Sequence, residues 1–179
     1  MNNNYIFKSE RLGFRNWVEA DITPMIKISG DLEVMKNFPA TATPEQTIAF
    51  IHRMQEMFTE KGYCYFAVDS LENNSFIGFI GLCYQDYDVE FAPCIDIGWR
   101  LEKEYWGKGF TTEGARRCLE YAFNVLDLDN IKSTAPLVNL NSINIMEKIG
   151  MTKLLEFQHP KLLNNDRLVN CACYEIQKQ

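Results

Sequence analysis

Residues 94–126 constrain the fold more than any other part of the chain. They open with Cys94-Ile-Asp-Ile-Gly-Trp-Arg-Leu101, a β-rich run that reads as a strand. They end in a helical pattern from Thr111, with Ala115, Cys118, Leu119, Ala122, Phe123 and Leu126 on one face at three-and-four spacing. Between the two lies Gly107-Lys108-Gly109, where the backbone can turn tightly and aim several amide N–H groups at one spot. The dipole of the following helix adds to those amides, so strand, loop and helix together predict a phosphate site. Gly98, inside the strand, predicts a bulge, a close-approaching ligand or a packing accommodation.

Two familiar nucleotide loops are excluded. A dinucleotide fingerprint needs a third glycine where Thr112 stands, and an acid about 20 residues further on. The strand expected at 131–135 supplies no such acid. No stretch carries the Gly-Lys-Ser/Thr of a P-loop.

At 179 residues, 46% of them apolar, the chain suits a single domain over 1–179 with a core of its own. A formal net charge of −6 speaks against nucleic acid as the main partner. The six cysteines form no Cys-x-x-Cys pair and mostly fall in apolar patterns, where a free thiol behaves as a small hydrophobe. With two histidines there is little to build a metal cluster, and none is expected. No apolar run has the length of a membrane span, and no secretory leader is read, so a reduced cytoplasmic setting is expected.

Along the chain, residues 7–14 read as a first strand and 21–29 as a helix. Asp31 caps a short turn after that helix, and Thr43-Pro44-Glu45-Gln46 is a capping box opening a second helix. His52 and Arg53 lie off its apolar face, which reads as solvated. Residues 63–69 and 76–84 form a strand pair, with Gly78 and Gly81 weakening the second unless something packs close. Asp86, Asp88 and Glu90 read as a solvated loop in preference to a clamp for a substrate amine. After the organising unit come a strand at 131–135, a helix from Asn139–Ser142 to Ile149, and strands at 152–157 and 168–177. This order predicts an α/β (α+β) fold: a mixed, mostly antiparallel sheet of six to seven strands with helices on both faces.

Asp96-Ile-Gly-Trp-Arg-Leu, Tyr105-Trp-Gly-Lys-Gly-Phe-Thr-Thr-Glu113 and Asn139-Leu-Asn-Ser142 leading to Glu147-Lys-Ile-Gly-Met151 resemble the GNAT superfamily of N-acetyltransferases. Arg11-Leu-Gly-Phe-Arg15, Asp31-Leu-Glu-Val-Met35 and Phe157-Gln-His-Pro160 resemble the branch that acetylates ribosomal-protein N-termini. The resemblance covers nearly the whole chain. It implies a sheet splayed at its centre, between the organising strand and the strand at 131–135, with acetyl-CoA as co-substrate and its pantetheine arm in the gap.

The resemblance assigns the diphosphate to the backbone of Trp106, Gly107, Lys108, Gly109, Phe110 and Thr111. Lys108 either adds charge there or is solvated. Glu104 stands where the family usually has Gln or Arg, a small loss if the contacts are backbone amides. The strand Ile97-Gly98-Trp99 to Leu101 would hold the acetyl-pantetheine end, with a backbone amide around Ile97–Trp99 polarising the thioester. Asp96 matches the position of a general base, with an ion pair to Arg100 as its structural alternative. Glu156 is a second candidate base. Met146 replaces the tyrosine many relatives use to protonate the thiolate, and Ser142 takes that role by resemblance to the ribosomal branch. Asn139 would hydrogen-bond the pantetheine amide. Both Asn139 and Ser142 read equally as helix caps.

The expected activity is acetyl transfer from acetyl-CoA to a primary amine by direct attack. The acceptor is a protein N-terminus or a small-molecule amine; the alternative is a non-catalytic CoA-binding sensor of the same fold. A homodimer is compatible with this reading.

Overall fold

The organising strand, β5 (Cys94–Leu101), lies inside a single sheet of eight strands. The computed structural model describes residues 5–178. On one side of β5 runs an antiparallel series: β1 (Phe7–Lys8), β2 (Leu12–Arg15), β3 (Tyr65–Ser70) and β4 (Ser75–Gln85). On the other lie β6 (Asn130–Pro136), β8 (Asn170–Gln177) and β7 (Thr152–Gln158), in that spatial order. Among the described residues, only the β5–β6 contact is parallel. Its two strands are joined by α3 (Phe110–Asn124), as a parallel pair requires a crossover.

The strand count exceeds the expected six to seven because residues 7–14 do not form one strand. Ser9 folds the chain back: its N–H donates to the Leu12 carbonyl at 2.9 Å, and its Oγ accepts from the Leu12 N–H at 3.2 Å. The apolar residues on either side then pair with each other, Phe7 opposite Phe14.

Helices cover both faces, because successive strand residues point to opposite sides. Phe79 of β4 faces α1 (Ile22–Gly30) and α2 (Pro44–Lys61), packing 5.3 Å from the ring of Phe50. Its neighbour Ile80 faces α3, which approaches so closely that a Cβ at Gly114 would stand 2.4 Å from Ile80 Cδ1. The expected capping box opens α2, with Thr43 Oγ1 accepting from the Gln46 N–H. A buried ion network anchors the start of α1: Arg15 reaches Asp21 and Asp69, each at 2.7 Å.

The sheet parts where the resemblance implied. β5 and β6 are in register at Asp96 and Lys132 alone. Beyond that point Ser133 Oγ donates to the Ile97 carbonyl at 2.8 Å, taking an acceptor that a continued ladder would have used. The last helix, α4 (Leu140–Lys148), starts at the open end of this gap.

Candidate active site

The glycine loop carries the geometry that its sequence predicts. Gly107 and Gly109 hold φ of 71° and 81°, the left-handed region that a side chain resists. Trp106 Nε1 donates to the Leu101 carbonyl at 2.9 Å, tying the loop to the end of β5. Among the described residues, no backbone or side-chain acceptor takes the amides of Gly107 through Thr112. The last three belong to the first turn of α3, where a helix leaves its N–H groups unpaired. These donors border a cavity of about 500 Å³ lined by Trp99, Leu101, Trp106, Gly107, Gly109 and Thr111, among others. A row of free amides at a helix start fits a diphosphate.

The N-terminal hairpin braces this loop, a contribution the sequence did not disclose. Arg11 Nε donates to Glu113 Oε2 at 2.6 Å, and Arg11 Nη1 donates to the Lys108 carbonyl at 3.1 Å. Ser9 Oγ and the Arg11 N–H also donate to the Glu113 carboxylate, at 2.6 and 2.8 Å. These bonds and burial act oppositely on Glu113, and its pKa is lowered on balance. Lys108 is exposed, and its ammonium lies 5.8 Å from the Tyr105 ring centroid. The Phe110 side chain points into the core, so only its backbone faces the loop.

Ser133 bonding to the Ile97 carbonyl shows which backbone groups of β5 face the split. In a strand, alternate residues direct N–H and C=O to the same side, so the Trp99 amide faces the opening too. No strand lies opposite it there. The expected bulge at Gly98 is absent: β4 and β5 pair without a register shift from Cys94 to Leu101. The free amide arises from the splay. Gly98 serves a neighbour instead, since a Cβ at that position would stand 3.0 Å from the Tyr65 ring.

That ring reaches the candidate base. Tyr65 donates its phenolic proton to Asp96 Oδ2. Asp96 is buried, and burial pushes its carboxyl up to about 7, against the opposing pull of the Tyr65 hydroxyl and the Thr134 amide. The Tyr65 hydroxyl is in turn pushed well above its usual range by burial and by the carboxylate. Asp96 makes no ion pair with Arg100. That guanidinium donates to Ser29 Oγ at 3.1 Å and lies over the Phe38 and Phe79 rings, at 4.4 and 5.3 Å. The two residues share a face of β5, but their Cα atoms are four strand positions apart, roughly 13 Å.

Asp96, Ile97 and Gly98 line a second cavity of about 270 Å³. Tyr87 and His159 form another wall, their rings stacked at 4.7 Å. Asp86, Asp88 and Glu90 alternate outward to solvent, as the solvated reading expects. Trp99, Asn139 and Ser142 line both cavities, so the two spaces meet at the split. Asn139 caps α4, its Oδ1 accepting from the Ser142 N–H at 3.3 Å and its Nδ2 donating to Ser142 Oγ at 3.0 Å. The Ser142 hydroxyl proton is thereby left free to donate elsewhere. Glu156 is not brought to either cavity. It is exposed on β7 and paired with Lys153 three residues away.

All six cysteines are buried and free. Among the described residues, no group of three or more His, Cys, Asp or Glu is placed to hold a metal, and no helix is long and apolar enough to cross a membrane.

A split sheet with a free-amide loop at one end and a buried carboxyl at the other defines an acyl-CoA-dependent N-acetyltransferase. The chain belongs to the GNAT family: the family described as "Acetyltransferase (GNAT) domain" matches residues 11–152. It is 30% identical over 146 residues to the "Uncharacterized N-acetyltransferase YnaD" of Bacillus subtilis (strain 168), covering 81% of each chain. It is 26% identical over 176 residues to the "Uncharacterized N-acetyltransferase p20" of Bacillus licheniformis, covering 96% of this chain and 95% of the relative. Among solved structures, a GNAT-family acetyltransferase from Bacillus anthracis superposes with a TM-score of 0.78 at 27% identity, covering 95% of this chain and 96% of the other.

Proposed function

We propose that this enzyme moves an acetyl group from acetyl-CoA to a primary amine by direct attack, with no covalent enzyme intermediate. The observation that carries this reading is the meeting of the two cavities at Trp99 and Ser142, one edged by unpaired amides and the other holding Asp96. Acetyl-CoA supplies the thioester. The amides of Trp106 to Thr111 hold the diphosphate, and Asn139 steadies the pantetheine arm. The Trp99 amide faces the carbonyl oxygen as negative charge develops on it.

The amine nitrogen forms its bond to the carbonyl carbon as the carbon–sulfur bond breaks. Asp96 takes the amine proton, through a water where its short side chain does not reach. A carboxyl that titrates near 7 is suited to accept a proton at neutral pH. Ser142 gives its hydroxyl proton to the departing thiolate.

One observation favours a peptide N-terminus among the acceptors. A 55-residue stretch, 31% of this chain, is 36% identical to the "Putative ribosomal N-acetyltransferase YdaF" of Bacillus subtilis (strain 168).

The test is release of free thiol from acetyl-CoA with a panel of amino acids, polyamines, aminoglycosides and peptides of differing first residue. Turnover with a subset of these, abolished or sharply reduced in Asp96→Asn, is the expected result. Tight CoA binding with no release from any amine would overturn the reading in favour of a sensor.

A further inference from the structure

Arg100 is a half-buried cation with nothing of opposite charge beside it. Among the described residues no carboxylate pairs with it. Its surroundings satisfy one of its three nitrogens. Nη1 donates to Ser29 Oγ at 3.1 Å, whereas Nε is enclosed and makes no hydrogen bond. Nη2 makes none either among the described residues. The rings of Phe38 and Phe79 lie 4.4 and 5.3 Å from the guanidinium, and Nη2, which is not enclosed, is left without a partner. A guanidinium N–H with no partner is a strong donor for a carboxylate. Burial lowers the pKa of Arg100 to about 10, a sign of how poorly the fold compensates its charge.

Arg100 lines both cavities and therefore stands where they meet. The other ionisable groups around the second cavity sharpen the point. They are Asp96, His159 and Lys161, besides the phenols of Tyr65 and Tyr87. Lys161 lies over the Tyr87 ring at 5.6 Å, and burial, with Lys161 nearby, lowers the pKa of His159. Two permanent cations thus share this space with one carboxyl. A polyamine, with several positive charges to neutralise, finds only Asp96. A molecule with an amine at one end and a carboxylate at the other finds a partner for each.

We propose that Nη2 of Arg100 receives a carboxylate of the acceptor, so that the amine acetylated belongs to an amino acid or a short peptide with a free acid group. This rests on the acetyl-transfer reading and narrows its substrate class. Asp96, Gly98 and Arg100 alternate onto one face of β5, with the Tyr65 ring lying over Gly98 between the base and the cation.

Two measurements test it. In the first, thiol release is followed with amino acids and dipeptides and with their C-terminal amides. Amidation is expected to lower kcat/KM by about 10-fold or more, mainly through KM, as for loss of a charged hydrogen-bond pair. Arg100→Met should erase the difference between acid and amide, Arg100→Lys should keep part of it, and neither should weaken CoA binding in calorimetry. In the second, CoA-saturated protein is titrated with N-acetylamino acids and their amides. The acids should bind and the amides should not, and Arg100→Met should abolish binding of the acids.

Arg100→Met should melt close to the wild type, since the lost contacts to Ser29 and the two rings are offset by removing a desolvated charge that has no counter-ion. Equal handling of acids and amides by the wild type overturns the proposal. So does a loss of CoA affinity in Arg100→Met, which assigns the cation to a cofactor phosphate. Failure of the acetyl-transfer reading itself looks different: no thiol release from any amine, with binding of the acids still dependent on Arg100.

Discussion

Tyr65 reaches Asp96 across a space that exists because residue 98 has no side chain. The ring lies against the Gly98 backbone, where a Cβ would be 3.0 Å away, and its hydroxyl donates to the Asp96 carboxylate. That bond stabilises the charged carboxylate and so opposes the upward push of burial. Tyr65→Phe keeps the ring in place and removes only the donor. The Asp96 carboxyl should then titrate above about 7, its wild-type value. The acid limb of the kcat/KM profile should move to higher pH by roughly one unit. Activity should fall most near neutral pH and recover toward pH 9. An unmoved limb would detach Tyr65 from the titrating group.

Asp96→Asn separates the cost of the carboxyl from its use. The folded protein holds the Asp96 proton up to about pH 7, whereas an ordinary aspartate releases it near 3.8. The stability linked to that proton is fully present below about pH 4 and is lost as pH rises through about 7. From the pKa difference the loss is on the order of 4 kcal/mol. Asparagine has no proton to lose and can still accept from Tyr65. Urea denaturation should therefore show the variant gaining on the wild type between pH 4 and pH 8, while thiol release falls by at least about 100-fold, the scale of a lost general base. A variant that loses stability relative to the wild type over that range would mean the carboxylate is held by partners stronger than those described.

Gly109→Val tests the phosphate loop. The space around position 109 is open, with Arg11 Nη2 the nearest atom at 3.5 Å from a built Cβ. The obstacle is the backbone: a β-branched residue resists a φ of 81°. Refolding the loop to a negative φ would turn the amides of Gly107 to Phe110 away from their shared focus. Calorimetry should show CoA affinity falling by about 100-fold or more, the order expected when several charge-assisted hydrogen bonds are lost. Circular dichroism should remain that of the wild type. Unchanged affinity would place the phosphates elsewhere.

The strand, loop and helix at 94–126 were legible because each is dictated locally, by β-branched alternation, by glycine and by helical spacing. Asp96 also stood out, as a charge between two isoleucines. The partner of Asp96 was not legible, since Tyr65 lies 31 residues earlier and meets it only through strand pairing. A signal did exist: Gly81 and Gly98 fall opposite each other on β4 and β5, beside Tyr65 on β3. Glycines in register across neighbouring strands leave a trough that an aromatic ring can fill. For Gly98 alone the sequence leaves a bulge, a ligand and packing as alternatives, because a single strand does not show what crosses it. The hairpin at Ser9 and the exposed position of Glu156 are likewise set by pairing between distant segments, and the sequence pattern around each is silent about it.

Ser142→Ala is informative because the cap of α4 does not depend on the serine side chain. Asn139 Oδ1 accepts from the Ser142 backbone N–H, a bond that alanine retains. What disappears is the hydroxyl, together with the bond it accepts from Asn139 Nδ2. The expected loss of stability is therefore small, under about 1 kcal/mol, as for one partly exposed neutral hydrogen bond. If the hydroxyl protonates the thiolate, kcat should fall by about 10- to 100-fold with little change in CoA affinity. The defect should also shrink when the thioester of CoA is replaced by an acetyl donor with a more acidic thiol, which needs no proton to leave. A serine that merely positions the cofactor would instead weaken CoA binding and leave the dependence on leaving-group acidity as it is in the wild type.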